Sequence, residues 1–274
     1  MFTLNCKGRL LTIDAPVVMG IINTTPDSFY GNSRAETTGN VLQTAERMLR
    51  QGAAILDIGG QSTRPGAVQL PPQEEATRVT GAISAIKKEF PESFVSIDTY
   101  HAAVAMQAVE AGADLVNDVS GGRFDDQMLA TVAQLRVPYV CMHLKGTPQT
   151  MHSDPSYRDV TAEVLDYFIE RIDACTKAGI HDVIIDPGFG FSKNSTHNFQ
   201  LLKELDAFAI LRKPLLLGIS RKSTIYRTLG ITPEEALNGT TVLNTAGLLK
   251  GANILRVHDV KEAMEAVRLT NFLK

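Results

Sequence analysis

The chain has 274 residues, of which 44% are hydrophobic and 21% are charged, and its formal net charge is −3. This length suits either two small domains or one large α/β domain, and the hydrophobic fraction is that of a globular protein with a buried core. The small net charge argues against nucleic acid or an anionic membrane as the main partner.

Short apolar runs alternate with amphipathic, helix-length segments along the whole chain. The opening stretch alternates around Lys7-Gly8 and predicts a β-hairpin over 1–14. The apolar runs then predict strands at 17–23, 55–60, 94–98, 115–121, 138–143, 182–188, 214–220 and 254–259. The segments between them predict helices at 40–51, 73–90, 101–111, 159–178 and 233–250.

The number and type of these units indicate the fold class. Continuous apolar strands are typical of a parallel sheet that helices cover. Eight strand–helix units in about 250 residues predict an α/β protein with one (β/α)8 barrel domain, a TIM barrel, over 1–274. The alternative is an open doubly wound sheet, which usually has a Gly-rich dinucleotide loop after its first strand. The sequence after the first strand, "GIINTTPDSF", is not such a loop.

The cysteines and the N-terminus indicate the compartment. Cys6, Cys141 and Cys175 are widely spaced and form no C-x-x-C pair, which argues against a disulfide framework or a zinc site. The N-terminus lacks the apolar core of a signal peptide, and no apolar run is long enough to span a bilayer. We therefore expect a cytoplasmic protein without a membrane or nucleic-acid partner.

Polar residues collect where the predicted strands end, whereas the strands begin with Val, Ile, Leu or Pro. The polar strand ends are, in chain order, Asn23, the segment 59–64, Asp98, Asn117, Asp118, His143, Asp186, the segment 220–222, Arg256 and His258. Because parallel barrel strands all end at one rim, these side chains predict an active site there.

Some of these residues also have a purely structural interpretation. Asp118 and Asp259 follow strands as helix caps or turn residues commonly do. We interpret His143 as a packed rim histidine, because no second histidine or carboxylate has the spacing of a metal ligand.

The remaining polar residues indicate the chemistry of the ligands. Asp98, Asn117, Asp186 and Lys222 combine hydrogen-bond acceptors and donors, as the edge of a fused heterocycle requires. A second set, Thr63 with Arg64, Arg256 and His258, suits phosphate oxygens. The segment 220–223 begins a predicted helix, whose free N–H groups suit another anion, such as a carboxylate. Together these sets predict a transfer reaction with a phosphate leaving group.

Seven motifs resemble those of the dihydropteroate synthase family, in the same order. They are "NTTPDSF", "GGQSTRPG", "SID", "NDVSGG", "DPGFGF", "GISRKS" and "RVHDV". The resemblance runs from Val17 to the C-terminus. It implies that 6-hydroxymethyl-7,8-dihydropterin diphosphate is joined to p-aminobenzoate, with release of pyrophosphate, in folate synthesis. It also implies a homodimer and inhibition by sulfonamides.

The resemblance implies a role for each matching residue. Those expected to bind the pterin are Asp98, Asn117, Asp186, Lys222 and Arg256. Those expected to hold the diphosphate are Asn23, Thr63, Arg64, Arg256 and His258, with Mg²⁺ bound at Asn23. Those expected around p-aminobenzoate are Phe29, Pro65, Phe191, Ser220, Lys222 and Ser223. The expected catalytic residues are Asp98, Lys222, Arg256 and His258.

The chain departs from the family pattern in the first two loops. Tyr30-Gly31-Asn32 replace the usual Ser-Asp-Gly, and Gln61 replaces a common Glu. Two alternatives therefore stay open. One is a pterin-binding methyltransferase on a similar barrel, which does not need the "STRPG", "SRKS" and "RVHD" motifs. The other is a paralogue that binds pterin without synthase activity.

Overall fold

A computed structural model of the protein describes residues 1–24, 34–61, 70–146 and 156–273. Strands β1 (Phe2–Cys6) and β2 (Arg9–Ile13) pair antiparallel and form the predicted hairpin. Eight further strands form one parallel sheet: β3 (Val17–Asn23), β4 (Ile55–Gly59), β5 (Phe94–Asp98), β6 (Leu115–Asp118), β7 (Tyr139–Met142), β8 (Val183–Asp186), β9 (Leu216–Leu217) and β10 (Ile254–Val257).

The parallel sheet closes into a barrel. Its strand order is β8-β7-β6-β5-β4-β3-β10-β9, and a parallel bridge between Ile185 and Leu215 joins the two end strands. The predicted (β/α)8 barrel with an N-terminal hairpin is confirmed. Its strands are buried on both sides, as the four fully buried residues of β7 illustrate, which explains their continuous apolar sequences.

Helices surround the barrel. Among the described residues they are α1 (Arg34–Arg50), α2 (Pro72–Glu89), α3 (Ala102–Glu110), α4 (Met128–Leu135), α5 (Val160–Ala178), α6 (Ser195–Lys203), α7 (Ser223–Leu229), α8 (Leu237–Leu249) and α9 (Val260–Thr270). Within the described ranges, 3-10 helices cover Leu205–Leu211 and Asn271–Leu273. Over the described ranges, none of the helices has the length and apolar character needed to cross a membrane.

Helix α5 shows how local sequence sets the bounds of an element. The Asp159 carboxylate caps its start by accepting hydrogen bonds from the N–H groups of Thr161 and Ala162, at 2.9 and 3.0 Å. Gly179 ends the helix in the left-handed conformation, with φ of 94°. The prediction of a helix over 159–178 is therefore accurate to one residue.

Several predicted bounds are wrong. The strand predicted at 115–121 ends at Asp118, because the Asp118 carboxylate accepts hydrogen bonds from the N–H groups of Ser120 and Gly122 and turns the chain out of the sheet. The strand predicted at 214–220 is regular only over Leu216–Leu217. Helices α4, α6 and α9 were not predicted. They have 8, 9 and 11 residues, so that their apolar period repeats only two or three times.

The hairpin closes the N-terminal end of the barrel. Its residues Leu4, Cys6, Leu11 and Ile13 are buried in one apolar cluster with side chains from the barrel strands. The strand residues of this cluster are Met19, Ile55, Leu115, Val140, Ile184, Leu216 and Ile254. This end is therefore a packed core, and the polar strand ends lie at the opposite rim.

Candidate active site

The predicted site residues within the described ranges lie at one end of the barrel. Asn23, Asp98, Asn117 and Asp186 are the last or next-to-last residues of β3, β5, β6 and β8. The strand register pairs Asn23 with Gly59, Gly59 with Asp98, and Asp98 with Asn117, so these strand ends lie side by side. Four predicted residues, Phe29, Thr63, Arg64 and Pro65, lie outside the described residues, as does Tyr30.

Arg256 joins the carboxylates of two neighbouring strands. Its Nε donates to Asp57 Oδ2 at 2.6 Å, and its Nη2 donates to Asp98 Oδ2 at 2.5 Å. Asp57 Oδ2 also accepts a hydrogen bond from Asn117 Nδ2, at 3.1 Å. Arg256 was predicted both with Asp98 in the pterin set and in a phosphate-binding group, and the structure places Arg256 and Asp98 in one network. Asp57 therefore orients the guanidinium of Arg256 and the amide of Asn117 together.

Asp57 is a site residue that was not predicted. It is completely buried and lies in the middle of β4, within the apolar run "ILDIGG". A carboxylate inside a buried strand is a recognisable signal, because charged groups are rarely buried without a partner. Its Oδ1 has no hydrogen-bond partner among the described residues.

The network changes the proton affinity of Asp98. Burial raises the pKa of Asp98 to about 7, although the Arg256 cation acts in the opposite direction. The nearby carboxylate of Asp57 adds to the rise. Asp98 is thus able to be protonated or ionised near neutral pH, according to what binds beside it.

Asp186 and Lys222 form a second polar pair around Gly218. A methyl group added at Gly218 would lie 3.6 Å from Asp186 Oδ2 and 3.9 Å from Lys222 Nζ, so both charged atoms border the space that this glycine leaves. Burial raises the pKa of Asp186, which the Lys222 charge opposes. Burial also lowers the pKa of Lys222 to about 8, against the effect of Asp186.

Lys222 contacts the loop that follows β8. Its Nζ donates a hydrogen bond to the Phe189 carbonyl and lies 4.4 Å from the centre of the Phe191 ring. The Phe191 side chain is partly buried, against a small apolar cluster of Val119, Met142 and Leu144. A cation above an aromatic ring forms a wall suited to a flat aromatic ligand.

Ser220 positions His258. The Ser220 hydroxyl lies 3.0 Å from His258 Nδ1 and accepts a hydrogen bond from the His258 backbone N–H at 3.2 Å. Desolvation by the surrounding rim and the Arg256 cation both lower the pKa of His258. The ring is therefore neutral at pH 7, with the Ser220 hydroxyl within hydrogen-bond distance of its Nδ1.

The structural interpretations have different outcomes. Asp118 lies in a turn, as interpreted, and also accepts a hydrogen bond from the Tyr139 hydroxyl at 2.7 Å. The interpretation of Asp259 as a cap is wrong, because its carboxylate instead binds Arg221 Nε and Nη2 at 2.8 and 2.9 Å. His143 is buried, as a packed histidine would be. Gln61, which replaces the common Glu, donates from Nε2 to the Tyr100 hydroxyl at 2.8 Å.

Asn23 is the one predicted metal ligand. Its side chain is exposed at the rim, and a methyl group added at Gly59 would lie 3.6 Å from Asn23 Oδ1 and 3.8 Å from Asp98 Oδ2. No group of three metal-binding side chains occurs in the described parts of the chain. One exposed amide oxygen at the rim fits Mg²⁺, which keeps several waters and binds substrate phosphates.

Several known proteins with similar sequences and folds are named dihydropteroate synthase. The family described as "Pterin binding enzyme" matches residues 19–258. Dihydropteroate synthase of Escherichia coli K12 is 41% identical over 265 residues, covering 96% of this chain and 93% of that protein. A structure of Xanthomonas albilineans dihydropteroate synthase with 4-aminobenzoic acid has a TM-score of 0.91 and 40% identity, covering 99% of this chain and 97% of the other. A second structure from that organism, with 7,8-dihydropteroate, has a TM-score of 0.89 and 38% identity, covering 99% and 98%.

Proposed function

The chain belongs to the pterin binding enzyme family, and we propose that it is a dihydropteroate synthase. It joins 6-hydroxymethyl-7,8-dihydropterin diphosphate to p-aminobenzoate and releases pyrophosphate. The observation that carries the proposal is the network at the rim, in which Arg256 binds both Asp98 and Asp57, and Asp57 also binds Asn117. Lys222 and Asp186 complete the donors and acceptors that a pterin edge requires.

Each residue of this network has a defined role toward the pterin. The carboxylates of Asp98 and Asp186 accept hydrogen bonds from ring N–H and amino groups. Asn117 directs one N–H toward Asp57, which leaves its Oδ1 as an acceptor for the ring. Lys222 exchanges its bond to the Phe189 carbonyl for one to the pterin carbonyl. The guanidinium of Arg256, held at two of its nitrogens, lies against the pterin.

The diphosphate leaves before the new bond forms. The C–O bond at the pterin methylene breaks, and pyrophosphate departs with the electron pair, which leaves a cation that the pterin ring and Asp98 stabilise. Arg256 and the His258 ring donate to the departing oxygens, and the family resemblance assigns Thr63 and Arg64 to the same oxygens. When bound at Asn23, Mg²⁺ neutralises part of the diphosphate charge.

The amine of p-aminobenzoate then attacks the cation, which forms the C–N bond and releases a proton from nitrogen. Phe191 and Lys222 line one side of the aromatic ring, and Phe29 and Pro65 contribute from the first two loops. Ser220 and Ser223 lie next to Lys222, at the start of α7, where they receive the carboxylate.

The proposal includes the cellular context. The protein acts in the cytoplasm, and in support Cys6, Cys141 and Cys175 are free, buried thiols.

The protein forms a homodimer through the outer surface of α7 and α8, where Leu229, Val242 and Leu249 are 55%, 56% and 53% exposed. Large apolar side chains on adjacent helices are typical of a protein–protein interface. Val242→Asp should then give monomers in sedimentation, whereas a wild-type monomer would contradict the dimer.

Product formation tests the proposed function directly. Purified protein with Mg²⁺, the pterin diphosphate and p-aminobenzoate should release pyrophosphate and form dihydropteroate in equal amounts. A chelator should abolish turnover, and added Mg²⁺ should restore it. A sulfonamide should compete with p-aminobenzoate. Pterin binding without turnover would favour the paralogue that lacks synthase activity, and methyl transfer from a methylated folate would favour the methyltransferase.

A further inference from the structure

Lys193 is a buried cation that no part of the proposed reaction uses. Its side chain lies beneath the loop of residues 187–194, which joins β8 to α6 and carries Phe189 and Phe191. Its Nζ lies 2.9 Å from His143 Nδ1, 3.1 Å from the Gly188 carbonyl and 3.1 Å from the Phe191 carbonyl. An ammonium group has three N–H donors, and here each one has an acceptor.

The acceptors fix the protonation states of this cluster. Burial and the Lys193 cation both lower the pKa of His143 far below its ordinary value, so its ring is neutral and Nδ1 accepts a hydrogen bond. Burial lowers the pKa of Lys193 to about 7, and the charge of Asp186 acts in the opposite direction. Three acceptors around one nitrogen favour the ammonium form, because a neutral amine has only two N–H groups.

The loop itself has a tight conformation that depends on its packing. Gly188 has a φ of 71°, and a methyl group added to it would lie 2.1 Å from the His143 carbonyl oxygen. The Gly188 N–H donates to Asp186 Oδ1 at 2.8 Å, and its carbonyl accepts from the Phe191 N–H at 3.1 Å. The loop thus links the carboxylate of Asp186 to the ring of Phe191 through one turn.

Two lysines bind different backbone carbonyls of the loop. Lys222 binds the Phe189 carbonyl on the side of the candidate active site. In the proposed reaction Lys222 gives up that bond when the pterin carbonyl arrives, whereas Lys193 keeps its bonds to Gly188, Phe191 and His143. Ser192 adds a bond between its hydroxyl and the Lys145 carbonyl at 2.5 Å, outside the turn of residues 188–191.

We propose that Lys193 is a positioning residue that holds the loop of residues 187–194 in place, so that Phe191 lines the p-aminobenzoate site while Lys222 is engaged with the pterin. This inference rests on the proposed function. Lys193 acts through the backbone carbonyls of Gly188 and Phe191 and through His143, and it does not touch either substrate.

Lys87 provides a matched control at the other end of the barrel. Its Nζ also has three acceptors, the Pro91 carbonyl at 3.2 Å, the Ser93 carbonyl at 2.8 Å and Asp114 Oδ2 at 3.1 Å. Lys193→Met and Lys87→Met therefore remove equivalent sets of bonds, and only the first set lies at the site.

Steady-state kinetics separate positioning from stability. Lys193→Met should raise the KM for p-aminobenzoate by about tenfold or more, with a smaller change in pterin affinity, because Asp186 remains on its strand. Lys193→Gln keeps an amide donor on a shorter side chain and should give an intermediate KM. Lys87→Met should lower the melting temperature and leave both constants near wild type. Equal KM changes for Lys193→Met and Lys87→Met would overturn the proposal.

A fluorescence experiment tests the same point without turnover. The chain has no tryptophan, so Phe191→Trp introduces a single reporter at the loop. In that background Lys193→Met should shift the emission to longer wavelength and increase quenching by acrylamide, and Lys87→Met should change neither. Unchanged emission after Lys193→Met would contradict the inference even if the wild-type protein proved inactive as a synthase.

Discussion

The two ends of the barrel are built from the same strands and use polar residues in opposite ways. At the N-terminal end Asp114 binds Lys87 at 3.1 Å and Arg9 at 3.4 Å and accepts the Val95 N–H at 2.9 Å, and both cations retain contact with solvent. At the C-terminal end Asp57, Asp98 and Asp186 surround Arg256 and Lys222. There the buried atoms Asp57 Oδ1 and Ser96 Oγ have no hydrogen-bond partner among the described residues.

This difference separates a structural cluster from a functional one. Buried polar groups in proteins are nearly always hydrogen-bonded, so the few that are not require an explanation. Near the hairpin, the charges of Asp114, Lys87 and Arg9 are paired with one another, so they require no ligand. The shifted pKa values of Asp98, Asp186 and Lys222 at the rim are typical of a site that a ligand completes.

The largest expected effect comes from Asp57→Ala. The change leaves Arg256 Nε and Asn117 Nδ2 without their acceptor in a buried site, which costs about 3–5 kcal/mol of unfolding free energy. Urea denaturation measures this loss, and calorimetry should show that pterin binding disappears. Asp114→Ala is the control, and it should lose stability while the folded protein keeps its pterin affinity. Similar pterin affinities in the two variants would show that the C-terminal end of the barrel is no more important for pterin binding than the N-terminal end.

Asp186→Ala should weaken pterin binding by about 1–3 kcal/mol or more, because ring donors of the ligand lose their acceptor. Asp182, which directly precedes the same strand, provides the control. Its carboxylate accepts a hydrogen bond from the Asn5 N–H at 2.7 Å. Calorimetric titration with a pterin should give the wild-type affinity for Asp182→Ala. An unchanged affinity in Asp186→Ala would show that this strand end does not bind the ring.

Glu75→Gln should stabilise the protein at alkaline pH. Glu75 is buried beside Gly60, and burial raises its pKa to about 7 from an ordinary value of 4.5. The folded state therefore holds a proton that the unfolded state releases, so stability due to this group falls as pH rises from about 4.5 to 7. At pH 8 the variant should exceed the wild type by about 1–3 kcal/mol, and near pH 4 the two should be equal. Thermal melts at both pH values measure the difference, and a parallel pH dependence would refute the assignment.

The smallest effect is expected for Ser220→Ala. Loss of the bond to His258 Nδ1 should reduce kcat by about fivefold, equivalent to about 1 kcal/mol, because the ring is no longer held in one orientation. Pyrophosphate release measures kcat, and pterin affinity should stay near wild type. An unchanged kcat would show that His258 does not depend on this bond, whereas a rise in the KM for p-aminobenzoate would report only the proposed contact of Ser220 with the carboxylate.

Strand ends were easier to predict than the contacts between them. Asn23, Asp98, Asn117 and Asp186 follow apolar runs, so their common rim follows from the barrel alone. Asp57 was missed because it lies within an apolar run rather than at its end. The bond between Asp259 and Arg221 joins residues 38 positions apart, and no local pattern distinguishes it from a helix cap.

The amino-acid sequence by itself determined the alternation of buried strands and covering helices, the hairpin and the polar rim, because side-chain periodicity and burial act locally. Only the tertiary structure decided which of the rim residues lie close enough to change one another's pKa values. Asp57 and Arg256 are separated by 199 positions along the chain, and the distance of 2.6 Å between them exists only after the barrel closes. The same closure places three acceptors around Lys193. Because these groups are buried, water cannot replace a hydrogen bond that is lost.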